Sequence, residues 1–341
     1  MKALRFVTLR RRPDKFRRLT GVDLRTFERL AKRLEPLWQT AERQRLSRPS
    51  RQRAIGAGGK YKLTTFPDML LALLVFYRLY VTYEVLGWLF GLDASTLCRL
   101  FARLEPIVAQ EFKPSLRPSG ANRRIGTPED VLTTHPTLRE VIIDATEQRI
   151  QRPSRARHAK TSPKRRRSPS EHHAEDPDDP QRVYYSGKKK AHTIKTQVVV
   201  TPSGEIIDVG DPVPGSVHDY TLLKESAVLD ALPSAIPKHV DRGYTGITND
   251  FPDHTIHIPT RKPRGGTLSA EQKAANRQAA TARIKVEHVI ARMKVFQILR
   301  QSYRSARATY RHKTAILAGI VNTLSGFATC PKQAGRGYAT A

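Results

Sequence analysis

Apolar residues recur at helical spacing over residues 22–35, where Leu24, Phe27, Leu30 and Leu34 share one face behind Asp23, a natural N-cap. Residues 1–20 show no such period and are expected to be basic and poorly ordered; residues 41–63 are polar, with Gly56, Gly58 and Gly59 marking a flexible stretch. From Thr64 the chain turns strongly apolar, and TTFPDMLLALLVFYRLYVT predicts a buried helix with Pro67 in its first turn. A short helix over 82–90, a turn at Gly91–Asp93 and a second helix over 94–104 follow, the layout of a helix-turn-helix. Its second helix points Leu97, Leu100 and Leu104 inward and leaves Ser95, Thr96, Arg99 and Arg103 to face a ligand, although an ordinary helical bundle with a tight turn would give the same spacing.

The period then changes. After a Pro-, Gly- and Arg-rich linker over 113–139, the run Val141–Ile143 reads as a strand buried on both faces that ends at Asp144. Residues 152–182 hold almost no large apolar side chain, are basic and then acidic, and are expected to form a disordered loop. Two strands joined at Pro202–Gly204 come next, then a helix from Tyr220 to Leu232, a short strand ending at Asp241 and another in HTIHIPT. Ser269 with Gln272 makes a capping box for a long helix reaching about residue 298, and a last apolar helix covers 313–327. Strand, two strands, helix, strand, strand, helix is expected to give an α/β fold, a mixed sheet with helices against it that matches the core of ribonuclease-H-like nucleases, preceded by an all-α helix-turn-helix domain.

Charge changes the picture of what this fold meets. The 341-residue chain carries 60 Lys and Arg against 31 Asp and Glu, a net charge of +29, so a polyanion is the natural partner and nucleic acid the first candidate. No strongly amphipathic basic helix of the membrane-lying kind is present, and Met69–Tyr83 is too short to span a bilayer. Two cysteines, Cys98 and Cys330, exclude a zinc ribbon or a disulfide framework and fit a reducing compartment, and the N-terminal residues lack an apolar signal core, so a cytoplasmic, nucleoid-associated protein is expected.

Within this basic chain three acids stand at informative places. Asp144 and Asp241 end strands, and Glu287 lies at the border of the apolar face of the long helix, formed by Val286, Val289, Ile290, Met293 and Phe296. Phosphodiester chemistry requires charge at an attacking and a leaving oxygen, which two Mg²⁺ ions about 3.5–4 Å apart supply, and such hard ions take carboxylate oxygens. Each acid also has a plain structural reading: Asp144 and Asp241 as turn residues, Glu287 as the i,i+4 partner of Arg283, and His218–Asp219 as a helix cap.

Six segments, IIDATEQRI, YYSGKKKAHTIKTQVVV, PGSVHDYTLL, VDRGYTGI, PTRKPRGGTLSAEQKAANR and ARIKVEHVIARMKVF, resemble in order the motifs of bacterial insertion-sequence transposases with an Asp-Asp-Glu (DDE) triad, in the group related to Harbinger elements. The resemblance covers residues 60–327 and maps the triad onto Asp144, Asp241 and Glu287. It implies two Mg²⁺ ions, with Mn²⁺ as a substitute, held by those three residues, together with cleavage and strand transfer of double-stranded DNA. It further implies recognition of terminal repeats by the helix-turn-helix and work as a homo-oligomer on DNA. Lys188, Lys189, Lys190, Arg283 and Lys294 are candidate phosphate contacts, and His218 and Asp219 candidate accessory residues. The expected division is a basic arm with a helix over 1–63, the helix-turn-helix over 64–112, the linker 113–139, the catalytic domain 140–327 with loop 152–182, and a flexible tail 328–341. The loop exceeds the family's usual connector. Two other functions use the same features: a catalytically silent DNA-binding regulator, and a metal-dependent nuclease without strand transfer.

Overall fold

The computed structural model describes residues 3–47, 49–50, 52, 54, 62–112, 127–154 and 179–327. Most of the expected disordered loop (155–178), half of the linker (113–126), the glycine stretch and the tail 328–341 lie outside the described residues.

Residues 3–20 are ordered. Two short helices, α1 (Phe6–Leu9) and α2 (Pro13–Thr20), bury Leu9 and Phe16. Phe6 stacks on Phe27 at 4.9 Å, and Phe16 meets the same ring edge-on at 5.0 Å. A periodicity search misses this because the helices are only four and eight residues long, and tertiary burial, worth about 1.5–3 kcal/mol for a Phe, overrides the local charge. Next come α3 (Leu24–Leu46), with Asp23 accepting from the Thr26 amide, then α4 (Phe66–Leu79), α5 (Tyr83–Phe90) and α6 (Ala94–Glu111). Both α3 and α6 run well past their predicted ends, through Pro36 and Pro106. Helices α5 and α6 meet at 96°. Gly91 takes φ +66° in the turn, and Gly87 lies so close to the Leu92 carbonyl that a Cβ would stand 2.4 Å from it. The expected linker contains a helix, α7 (Pro128–Thr134), closed by a Thr127–Asp130 capping box.

The sheet starts with β1 (Val141–Arg149). It pairs antiparallel with β3 (Ala191–Val200), which turns at 201–205 into β4 (Ile206–Val209). A small helix, α8 (Pro180–Val183), leads into β2 (Tyr185–Ser186). Strands β2, β5 (Val213–Pro214) and β4 share the far edge of β3 along its length. The predicted helix 220–232 is two pieces, α9 (Asp219–Glu225) and α10 (Val228–Ala231), broken where Ala227 takes φ +52°. Then β6 (Lys238–His239) joins β1 in parallel, α11 (Ile247–Asp250) follows, and β7 (Ile256–His257) joins β6 in parallel. The order β2-β3-β1-β6-β7 is thus a mixed sheet. The long helix α12 (Ala270–Lys294) has the predicted Ser269–Gln272 box and ends four residues early, followed by α13 (Gln297–Arg300) and α14 (Tyr310–Leu324).

Helices cover both sheet faces. Val141, Ile143, Val199 and Ile207 pack with α7, α9 and α10, while Ile142, Val198, Val200 and Ile206 pack with α12 and α14. The second cluster continues without a break into α2–α6. Gly319 of α14 lets the Phe112 ring approach so closely that a Cβ would stand 2.3 Å from it, and Lys313 of α14 pairs at 2.7 Å with Glu105 of α6, both buried. Tyr80, at φ +50°, ends α4 and receives hydrogen bonds from Arg304, whose guanidinium also lies 4.4 Å over its ring. Among the described residues no single helix is long and apolar enough to cross a membrane.

Candidate active site

Asp144 is not the end of its strand. It sits in the middle of β1, opposite Val198 of β3, and the strand continues five residues further. What opens the site is its other neighbour. Strand β6 pairs Ile142 with His239 and then stops, so the parallel register carries Asp241 alongside Asp144 just where the ladder ends. Two residues on from a matched pair, both side chains leave the same face of the sheet, on backbones about 4.8 Å apart. That face is the one α12 covers, since Ile142 packs with Val286, Val289 and Met293.

Asp241 also caps a 3-10 turn over Arg242–Tyr244, accepting from the Gly243 amide at 2.6 Å, so the local reading of this acid is real as well. Gly243 leaves room there: a Cβ would lie 2.8 Å from Asp241 Oδ1 and 3.4 Å from Asp219 Oδ2. Asp219 therefore reaches the same place from the first turn of α9. His218 is the cap of that helix, its Nδ1 accepting from the Tyr220 amide at 3.3 Å.

The three aspartates feel one another. Burial raises the Asp144 carboxyl to about 6, and the charges of Asp241 and Asp219 add to the rise. Burial first, and then these same three carboxylates, pushes the fully buried Tyr244 hydroxyl far up. Glu287 stands on the exposed side of α12 and is held by Arg283 at 2.9 Å, the i,i+4 pair that its spacing allows. The hydrogen bond to Glu287 raises the Arg283 guanidinium, and the charges of Glu287, Asp144 and Asp241 raise it further, so this cation feels both the helix acid and the strand acids. Lys294 sits near the same centre; burial lowers it, Lys189 lowers it more, and Asp144 and Glu147 pull the other way. Lys188, Lys189 and Lys190 form the exposed tip of the β2–β3 hairpin, with Lys190 at φ +47°.

Two charges that sequence reading passed over complete the surroundings. Lys195 of β3 is buried and donates to the Val217 carbonyl at 2.5 Å, while its ammonium pairs with Asp219 Oδ1 at 2.7 Å and lies 3.8 Å from Glu147. Glu147 accepts from Thr193 at 2.8 Å. Their signal was a lysine and a glutamate placed opposite each other inside two apolar strands.

The donor set is all carboxylate, without His or Cys, and suits a hard divalent cation. Among the described residues no three His, Cys, Asp or Glu side chains are gathered closely enough to hold a metal ion as they stand. The residue that keeps the third acid occupied is Arg283.

On the helix-turn-helix, Ser95 and Arg99 are exposed and linked at 3.3 Å, and Arg99 also reaches Thr96 Oγ at 3.4 Å. Arg103 is turned away from this row: it donates to Glu42 of α3 at 3.0 Å and lies 5.6 Å over the Trp38 ring.

A family model described as DDE superfamily endonuclease matches residues 143–322, and one described as helix-turn-helix of DDE superfamily endonuclease matches residues 61–114. The probable transposase for insertion sequence element IS702 of Microchaete diplosiphon is 29% identical over 313 residues, which cover 90% of this chain and 93% of that protein. No solved structure matches.

Proposed function

The chain belongs to the DDE superfamily of endonucleases, and from that membership we propose that it is an insertion-sequence DNA transposase of the Harbinger-related group, cutting and joining DNA at Asp144, Asp241 and Glu287. The membership implies dependence on a divalent metal, and we take Mg²⁺ as the ion and a ribonuclease-H-like sheet as its support. The sheet order, with β1 antiparallel to β3 and parallel to β6, favours that architecture. The full-length likeness to a probable transposase favours joining as well as cutting.

The observation that carries the reading is the register of β1 with β6, which lays two aspartates side by side at a strand end. Asp144 and Asp241 would hold the metal, and Glu287 would join them once its bond to Arg283 is released. The bound ion supplies positive charge to the attacking and leaving oxygens of the phosphodiester. Arg283, once released, would turn to the phosphate with a bidentate guanidinium, and Lys294 and Lys189 would add charge beside it. Ser95, Thr96 and Arg99 would face the major groove at element ends, while Arg103 fixes the recognition helix to α3. The protein would act in the cytoplasm, on nucleoid DNA, as a homo-oligomer.

Asp144→Asn tests the assignment. The variant should lose Mg²⁺-dependent nicking of DNA carrying the element ends and still bind those ends. Nicking at the parental rate would overturn the triad. A wild-type chain that nicks but gives no joined products would leave a nuclease without transfer.

A further inference from the structure

The ordered N-terminus has one apolar side and one cationic side. Phe16, Leu9 and Thr20 are buried, while Arg10, Arg11, Arg12, Lys15, Arg17 and Arg18 are all exposed, with Asp14 the lone acid of both helices. Several of these cations have an acid at hand. Arg10 pairs with Glu28 at 3.1 Å, Arg17 lies in the field of Asp23, and Arg18 stands one turn from Asp14. That leaves Arg11, Arg12 and Lys15, at the junction of α1 and α2, exposed and with no ion pair among the described residues.

The path of this segment gives the charge a direction. At its start the Leu4 amide donates to the Leu89 carbonyl at 2.8 Å, and Arg5 donates to the Phe90 carbonyl at 2.9 Å, so the chain is tied to the turn between α5 and α6. The Phe6 amide is fixed by Asp68 of α4 at 2.7 Å. At its end Gly21 sits against Phe296, where a Cβ would be 2.8 Å from the ring, and Arg78 of α4 donates to the Val295 carbonyl at 2.5 Å. The segment thus runs from the helix-turn-helix to the C-terminal end of α12, the helix that carries Glu287.

We propose that Arg11, Arg12 and Lys15 form a second contact surface for duplex DNA, a rail for backbone phosphates between the helix-turn-helix and the active-site helix. The proposal rests on the helix-turn-helix reading for where the duplex lies. Three guanidinium or ammonium groups on a rigid, buried footing meet phosphates at little cost in conformational entropy, and they add affinity independent of base sequence. The rail holds the duplex between the place that recognises it and the place that cuts it.

The test uses the full-length chain and a random-sequence duplex of about 40 bp, with affinity measured against salt, because each phosphate contact contributes about 0.9 to the slope of log K on log[salt]. Arg11→Gln/Arg12→Gln/Lys15→Gln should flatten that slope by about 2–3, and Arg11→Lys/Arg12→Lys should keep it. A triple variant with the parental slope overturns the rail. If the triple variant melts early, the single variant Lys15→Gln reads the same quantity, a loss of about 0.9 or none. Arg99→Gln reports on the helix-turn-helix separately: a parental slope there together with a flattened slope in the triple variant would remove the recognition helix and leave the rail standing.

Discussion

Arg283 and Glu287 face each other one helical turn apart at 2.9 Å, and the same guanidinium lies in the field of Asp144 and Asp241. The side-chain cation that holds Glu287 is therefore also within reach of the charges of the two strand aspartates. It offsets the mutual repulsion of these carboxylates, and under the proposed triad it would compete with a metal ion for Glu287.

Replacing that cation should favour the metal. Arg283→Gln is expected to bind Mg²⁺ about twofold more tightly than the parent in calorimetry, because Glu287 no longer has to leave a partner. Weaker binding would mean that Arg283 supports the site instead of competing for it. An exposed pair of this kind is worth about 0.3–0.5 kcal/mol, so the effect is modest.

The raised Asp144 carboxyl predicts how metal-free stability depends on pH. It titrates near 6 in the folded chain and near 3.9 in an unfolded one. The folded chain holds the proton more tightly, so the stability this group contributes is fully present below about pH 4 and is lost as pH rises through about 6. In Mg²⁺-free buffer Asp144→Asn should melt several degrees above the parent at pH 7 and at the parental temperature near pH 4. Melting curves at the two pH values decide it; equal gains at both would show that charge is not the cause.

Lys195 balances two carboxylates in a buried place. Lys195→Met should cost about 3–5 kcal/mol in urea unfolding, since Glu147 and Asp219 then lie uncompensated. Adding Glu147→Gln should recover a large part of the loss, while an additive pair of effects would deny the coupling.

The Glu105–Lys313 pair makes a similar prediction at the opposite side of the core. Both side chains are buried at 2.7 Å, and burial lowers the lysine. Lys313→Met should destabilise by about 3–5 kcal/mol, and Lys313→Met/Glu105→Leu should return close to the parent, because an apolar pair replaces an ionic one at little net cost. A double variant less stable than the single would contradict this.

Sequence pattern located the long helices, the strands around Pro202–Gly204 and both halves of the Ser269–Gln272 box, because these depend on local spacing and capping. It placed Asp144 at a strand end for a reason the fold replaces: β1 runs on, and the opening comes from the short β6 beside it. Neighbouring strands so far apart in sequence leave no local trace of their register. Helical spacing reads Arg103 as outward, yet Glu42 and Trp38, on the part of α3 that runs past its predicted end, hold its head toward that helix. Phe16 shows the same limit, since a run of six cations around it hides a residue that is fully buried.

Helix α14 lies between α6 and the sheet, with Gly319 under Phe112 and Asn322 bonded to both backbone groups of Ile206. The helix-turn-helix is made on the ribosome well before α14, the surface on which α6 rests. A nascent chain therefore reaches its final packing at α6 only after residue 324 has emerged. A chain from which α14 has not yet emerged cannot offer a firmly seated α6, so the order of synthesis holds back the finished helix-turn-helix until α14 packs against it.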